Sequence, residues 1–275
     1  MSRITVLCEN TAAGKHLTGE HGLSFWIEHN NHSILFDTGQ GYCLKHNADI
    51  LGISLPSADA IVLSHGHFDH TGGLPDALAE TNMPSVFLHP QALSPRYACR
   101  EDGSYEIGMA QPIEELLRKR AKLIFTEGPT ELCPGIFVTG TIPRQTDFED
   151  SGGPFFWDED GSELDTFPDD QALYFETSAG TVVVLGCAHA GIVNTLMYVQ
   201  KLTDNNPIYA VLGGTHLVAA NEERMNKTLD FLRTLQIQRL QPAHCTGFIA
   251  MARLWHAFPD QYAPCPVGSI INIPE

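Results

Sequence analysis

Apolar residues in the first third of the chain come in short runs separated by turn residues. Segments 4–8, 23–28 and 33–36 are such runs, with turns at Asn30-Asn31 and Thr38-Gly39. This spacing predicts the opening strands of a sheet. Segment 60–64 (A-I-V-L-S) is a continuous apolar run, which predicts a buried strand, and it empties straight into His65. Segments 85–88, 123–126, 136–139, 172–176, 181–185, 208–212 and 239–241 read alike. Between them the period changes. Segment 112–121 places Ile113, Leu116 and Leu117 at helical spacing, segment 190–202 follows one strand, and segment 221–235 aligns Met225, Leu229 and Leu232 on one face. Strands mixed with helices, with several βα units in the second half and no repeat at solenoid periods, predict a layered α/β architecture.

Charge narrows the partners. The chain of 275 residues carries 16 Lys plus Arg against 33 Asp plus Glu, a net charge of −17. Its length suits one large domain or two small ones. Such acidity argues against a nucleic-acid groove or an anionic membrane surface, both of which need clustered Lys and Arg. Ten of the acids fall in 147–170, a segment without Lys or Arg that contains Gly152-Gly153-Pro154. A solvated loop or insertion is expected there, with a lid as the alternative. The remainder holds 33 − 10 = 23 acids against 16 bases, a balance of only −7, which leaves room for a small phosphate beside metal cations.

No stretch approaches the ~18 apolar residues needed to span a bilayer, and the start M-S-R-I-T-V-L-C lacks a signal-peptide pattern. Seven scattered cysteines without a C-x-x-C pair read as reduced thiols of a cytoplasmic protein.

Thirteen histidines invite a search for metal ligands. Ser64-His65-Gly66-His67-Phe68-Asp69-His70-Thr71-Gly72-Gly73 places three histidines and a carboxylate within six residues, directly after a buried strand. In an extended backbone His65, His67 and Asp69 would converge on one side, with His70 leaving at another angle. That arrangement suits two adjacent ions. Imidazole with carboxylate fits Zn, Mn or Fe, and the absence of thiol pairs argues against a closed structural zinc site. Further ligands are expected at other strand ends: His189 after G-C-A, His216 after L-G-G-T, and His244 after Q-P-A. Each of the three could instead cap a helix or fill the core.

These motifs, with F-D-T-G at Phe36–Gly39, resemble the metallo-β-lactamase fold superfamily. The resemblance implies a single domain over 1–275, an αββα four-layer sandwich with a dinuclear metal site along one edge. It assigns His65 and His67 to the first metal, Asp69, His70 and His244 to the second, and to Asp37 a bracing role. The family's next histidine and its bridging aspartate are missing from Gly140–Arg144 and from Gly186-Cys187. His189 is therefore expected to complete the first site, Cys187 is its alternative, and His216 stays open. The wider set, from E-H-G-L-S at Glu20–Ser24 to A-H-C-T-G, resembles the dihydropteridine synthase-like subgroup. Its namesake joins a 7,8-dihydropterin to β-ribofuranosylaminobenzene 5′-phosphate.

The functional expectation is a metal-dependent transferase or hydrolase with two divalent ions, zinc foremost, acting on a phosphorylated or anionic small molecule. Asp69 is both ligand and catalytic candidate. Arg144 is a candidate partner for a substrate phosphate, or else an ion pair with the acidic segment. His21, with Glu20, is a candidate proton-transfer group or a structural residue. Competing readings are a hydrolase of another ester or phosphate, a non-catalytic or redox metal protein, and a nuclease, which would need a basic surface.

Overall fold

Along the strand Gly180–Leu185, Val182 and Val184 enter one buried cluster while Val183 and Leu185 enter another. A continuous apolar run calls for this placement, because successive side chains face opposite ways and both faces are covered. The computed structural model describes residues 2–79 and 81–274.

One sheet runs, strand by strand, Ile270–Ile273, Ser2–Cys8, Ser24–His29, His32–Phe36, Ala60–Val62, Ser85–Leu88 and Lys122–Phe125. The other runs Arg239–Ala243, Ile208–Gly214, Gly180–Leu185, Leu173–Thr177, Ile136–Val138 and Thr130–Cys133. Ile4, Phe25 and Phe36 of the first sheet meet Phe175, Val182 and Leu212 of the second in the central core. Helices Leu44–Leu51, Leu74–Leu78 and Gln111–Arg120 cover the outer face of the first sheet. Helices Ile192–Leu202, Glu222–Thr234 and Phe248–Ala257 cover that of the second. The order is therefore α, β, β, α. Among the described residues no helix is long and apolar enough to cross a membrane.

Parallel pairing builds the functional edge. His32–Phe36, Ala60–Val62 and Ser85–Leu88 run parallel, as do Gly180–Leu185, Ile208–Gly214 and Arg239–Ala243. The loops beyond their carboxyl ends carry Asp37, His65, Cys187, His216 and His244, where open α/β sheets place ligands. The turn at Asn30 and Asn31, with φ of 50° and 63°, closes the hairpin between Ser24–His29 and His32–Phe36.

Two expectations need correction. Extended alternation past His65 holds only to His67, because the chain turns helical over Phe68–Thr71. Asp69 accordingly groups with His21 and His244 rather than with His65 and His67. The acidic segment is an irregular loop that is solvated only in part: Asp147, Asp150, Glu159, Asp160 and Glu163 are exposed, whereas Asp165, Asp169 and Asp170 are buried, and Phe155–Phe156 adds a strand to a small third sheet with Tyr97–Arg100 and Gly103–Glu106. This sheet, the terminal strand Ile270–Ile273 and the helix Phe248–Ala257 lie outside the segments predicted from the sequence.

Candidate metal centre

Asp37 organises the centre. It sits at φ 57°, fully buried, just past the end of His32–Phe36. Its carboxylate accepts from the Ser64 backbone N–H and Ser64 hydroxyl at 2.7 Å each, and bonds His70 Nδ1 at 2.7 Å. One residue thereby sets both the start of the histidine loop and the orientation of His70, the bracing role expected for it. Gly66 lets the loop pass close to its neighbour, since a Cβ there would lie 2.2 Å from the Ala92 carbonyl oxygen.

Two groups of donors result. In the first, donor atoms of His65, His67 and His189 lie within 4.8 Å of one another. Their Nε2 atoms are buried and without any hydrogen-bond partner. His65 Nδ1 bonds the Ser64 hydroxyl at 2.9 Å, and His189 Nδ1 donates to the Ser151 carbonyl at 3.0 Å. Such partners fix the ring and leave the lone pair on the inward nitrogen. Burial pushes all three imidazoles well below their usual range, and the neighbouring histidines push the same way. They are held neutral, the form that binds a cation. Three orphaned imidazole nitrogens aimed at one point fit a divalent ion.

In the second group Asp69 Oδ2 lies 3.1 Å from His244 Nε2, 3.2 Å from His21 Nε2 and 3.8 Å from His70 Nε2. His244 Nδ1 donates to Asn10 Oδ1 at 2.9 Å, and the His244 backbone N–H to Glu9 at 2.8 Å. Burial pushes Asp69 up, but His70 and the bond from His244 outweigh it, so its carboxyl is held well below the usual range. His70, which burial alone would lower, is raised to about 9 by Asp37 and Asp69. Cys187 Sγ sits 3.2 Å from His70 Nε2, in one set of three with His65 and His70.

The remaining candidates separate. The ring of His216 lies 4.3 Å from that of His189, with its Nδ1 buried and unpartnered, but it joins none of the donor sets among the described residues. Burial and the Arg224 charge push it down to about 3. Arg144 makes no salt bridge among the described residues, but its charge lowers Asp165 and Asp170 of the acidic segment. Its Nη2 donates to the carbonyls of His189 at 2.8 Å and Thr166 at 3.1 Å, tying the acidic segment to the His189 turn. Glu20 accepts from the backbone N–H groups of Gln40, Gly41 and Tyr42, a structural use, while His21 is exposed at the rim beside Asp69.

The acidic segment covers the centre. Phe167 stacks on His189 at 3.9 Å and meets His67 edge-on at 5.2 Å, and Phe155 stands 5.6 Å from His67 and 5.5 Å from His189. Buried Arg96 pairs with Asp169 at 2.7 Å and Asp165 at 3.4 Å, and Asp169 accepts from the Gly66 N–H at 2.9 Å. Nothing in the spacing around Arg96 marks it in the sequence, because its partners lie some seventy residues away.

The Metallo-beta-lactamase superfamily profile matches residues 17–244. The chain belongs to the metallo-beta-lactamase superfamily. Within that superfamily it is similar to the 7,8-dihydropterin-6-methyl-4-(beta-D-ribofuranosyl)-aminobenzene-5′-phosphate synthase of Methanocaldococcus jannaschii. That protein is 33% identical over 267 residues, covering 92% of this chain and 90% of the relative. An uncharacterised protein of the same organism is 35% identical, covering 98% and 100%. Among solved structures, one described as a metal-dependent hydrolase of the beta-lactamase superfamily superposes with a TM-score of 0.87 at 30% identity, covering 100% of both chains. Zn(2+)-bound PqqB from Methylobacterium extorquens shares the fold at a TM-score of 0.59 and 13% identity, over 98% of this chain and 100% of that one.

Proposed function

We propose that this superfamily member is a metal-dependent enzyme of the cytoplasm that uses two divalent ions, zinc foremost, on a phosphorylated small molecule. The finer reading is a transferase that joins a 7,8-dihydropterin to β-ribofuranosylaminobenzene 5′-phosphate, the activity named for the M. jannaschii relative. The observation that carries the metal reading is the convergence of unpartnered, buried Nε2 atoms of His65, His67 and His189 beside the Asp69–His70–His244 group. In this reading His65, His67 and His189 hold one ion, and Asp69, His70 and His244 the other.

A divalent cation in such a site supplies Lewis acidity, drawing negative charge from a departing diphosphate or an ester oxygen. The chain's own residues do the rest. His21 is exposed at the rim with its Nε2 3.2 Å from Asp69 Oδ2; an Nε2–H donated to that carboxylate leaves Nδ1 to take a proton from an incoming amine while Asp69 stabilises the charge that forms. Phe155 and Phe167 shut water away from the first donor group. Exclusion of water favours transfer to an amine over hydrolysis. Arg144 keeps the His189 turn and the aromatic cover in register through its two carbonyl contacts.

The test supplies metal-loaded protein with the dihydropterin methyl diphosphate and the aminobenzene riboside phosphate. Coupled product with released diphosphate is expected. Release of diphosphate without coupling favours a hydrolase of another phosphate or ester. No turnover of either kind by metal-loaded protein refutes the transferase reading.

A further inference from the structure

We propose that the apolar cleft beside His244 seats the benzene ring of an arylamine substrate, with Phe248 as its open wall. The proposal rests on the transferase reading above and gives one of its two substrates a place.

The cleft measures about 250 Å³ and continues directly from the metal centre. His244, whose Nε2 lies 3.1 Å from Asp69 Oδ2, lines it together with Asn10. Pro242, Phe248, Met251, Tyr262 and Pro264 make its apolar walls. The frame is tied down by backbone bonds. The Leu240 N–H donates to the Gln261 carbonyl at 2.9 Å and the Ala263 N–H to the Leu240 carbonyl at 3.1 Å, which fastens the segment around Tyr262 to the strand Arg239–Ala243. Gly247 sets the position of Phe248. It sits at φ 78°, and a Cβ there would lie 2.8 Å from Val218, so the helix Phe248–Ala257 starts hard against its neighbour. Phe248, at the head of that helix, is left 86% exposed at the cleft.

Polarity chooses the occupant. The buried Glu9 carboxylate is already committed: it accepts from the Thr11 N–H and hydroxyl at 2.6 Å each and from the His244 N–H at 2.8 Å. A cationic ligand therefore finds no uncommitted carboxylate here. Asn10 Oδ1 accepts from His244 Nδ1, which leaves the amide Nδ2 to donate to a ring substituent. A pterin would press its hydrogen-bonding edges against five apolar side chains, and unpaired polar groups are costly to desolvate. A benzene ring has no such edges and gains from contact with Phe, Tyr and Met side chains. A dry cavity of ~150 Å³ takes up one benzene, so this cleft has room for the ring and its substituents. The ring of His21 lies 5.0 Å from that of His244. An amino group at the His244 end of the cleft thus stands close to the side chain assigned to take its proton.

Zinc-loaded protein carrying ¹³C-methyl methionine is titrated with p-toluidine, an arylamine probe. The ring current should shift the Met251 methyl resonance saturably, the signal being identified by its loss in Met251→Leu. The Met197 methyl, on the helix Ile192–Leu202, should not move. Phe248→Ala removes an exposed side chain, so the fold is retained. It should weaken the probe about 3–10-fold and raise KM for the arylamine by a similar factor, while KM for the diphosphate partner holds. A Met251 resonance that stays in place, or that moves equally with cyclohexanol, overturns the proposal and leaves the transferase reading to its own coupling assay. Saturable, ring-selective binding by protein that couples nothing supports the ring site and refutes the transferase reading alone.

Discussion

Replacing Arg96 by methionine tests how the acidic cover is held over the centre. Arg96 is fully buried, pairs with Asp169 at 2.7 Å and Asp165 at 3.4 Å, and lies over the rings of Trp157 and Phe167 at 4.8 and 5.3 Å. Methionine fills most of the space and removes the cation, so two buried carboxylates lose their partner. Breaking a buried ion cluster from one side costs ~3–5 kcal/mol, with lost cation–π contact adding about 1 kcal/mol. Protonation offsets part of this. Burial already raises Asp165 to about 6 against the Arg96 charge, and without Arg96 it rises further. A folded-state pKa above the unfolded value of ~3.9 means that the folded form binds extra protons, so stability falls as pH rises through that window. The Arg96→Met deficit, read from urea midpoints, should therefore be about 3–5 kcal/mol at pH 8 and ~1–2 kcal/mol smaller at pH 5. A deficit below ~1 kcal/mol at pH 8, or one that grows on acidification, refutes the role assigned to this cluster.

Three further outcomes follow from the same geometry. Phe167→Ala removes the ring stacked on His189, which should cost ~3–5 kcal/mol in chemical denaturation and raise hydrolytic side reaction relative to coupling, measured as free diphosphate per product. Gly66→Ala places a Cβ 2.2 Å from the Ala92 carbonyl oxygen, so thermal unfolding should show a loss of ~1–3 kcal/mol, and metal retention under dialysis should fall as His65 and His67 shift. In metal-stripped protein the depressed histidines, among them His216 at about 3, give stability that is present above ~6.5 and lost as pH falls. His70, raised to about 9, contributes in the opposite sense, with stability present below ~6.5 and lost as pH climbs through 9. Urea midpoints across this range should show both flanks; a flat acid side contradicts the burial of neutral imidazoles.

Much of the fold was legible because both sheets are covered on both faces, so their strands read as plain apolar runs. The strand Ser85–Leu88 appears at the expected positions, and Arg239–Ala243 extends only two residues past the apolar signal at Gln241. The histidines at strand ends were visible for the same reason: each interrupts an apolar run at a glycine-rich or proline-containing turn. Asp69 was misdirected because a four-residue helix has no period to read, and Phe68–Thr71 rotates it toward His244. The burial of the cover's last acids was not legible, because that of Asp165 and Asp169 depends on Arg96, a distant residue on another strand's approach. Arg144 looked like a lone cation beside acids, yet its donors go to carbonyl groups that no sequence pattern marks. Long-range partners of charged residues, rather than the residues themselves, are what a single sequence withholds.

The central claim is the metal centre. Its most direct measurement is elemental analysis of protein purified with added zinc, comparing wild type with His67→Ala, each checked for native circular dichroism. The account predicts close to two equivalents of zinc in the wild type, and about one fewer when His67, whose Nε2 has no other partner, is removed. Wild-type protein without stoichiometric transition metal, or a His67→Ala protein that retains the full complement, would contradict it.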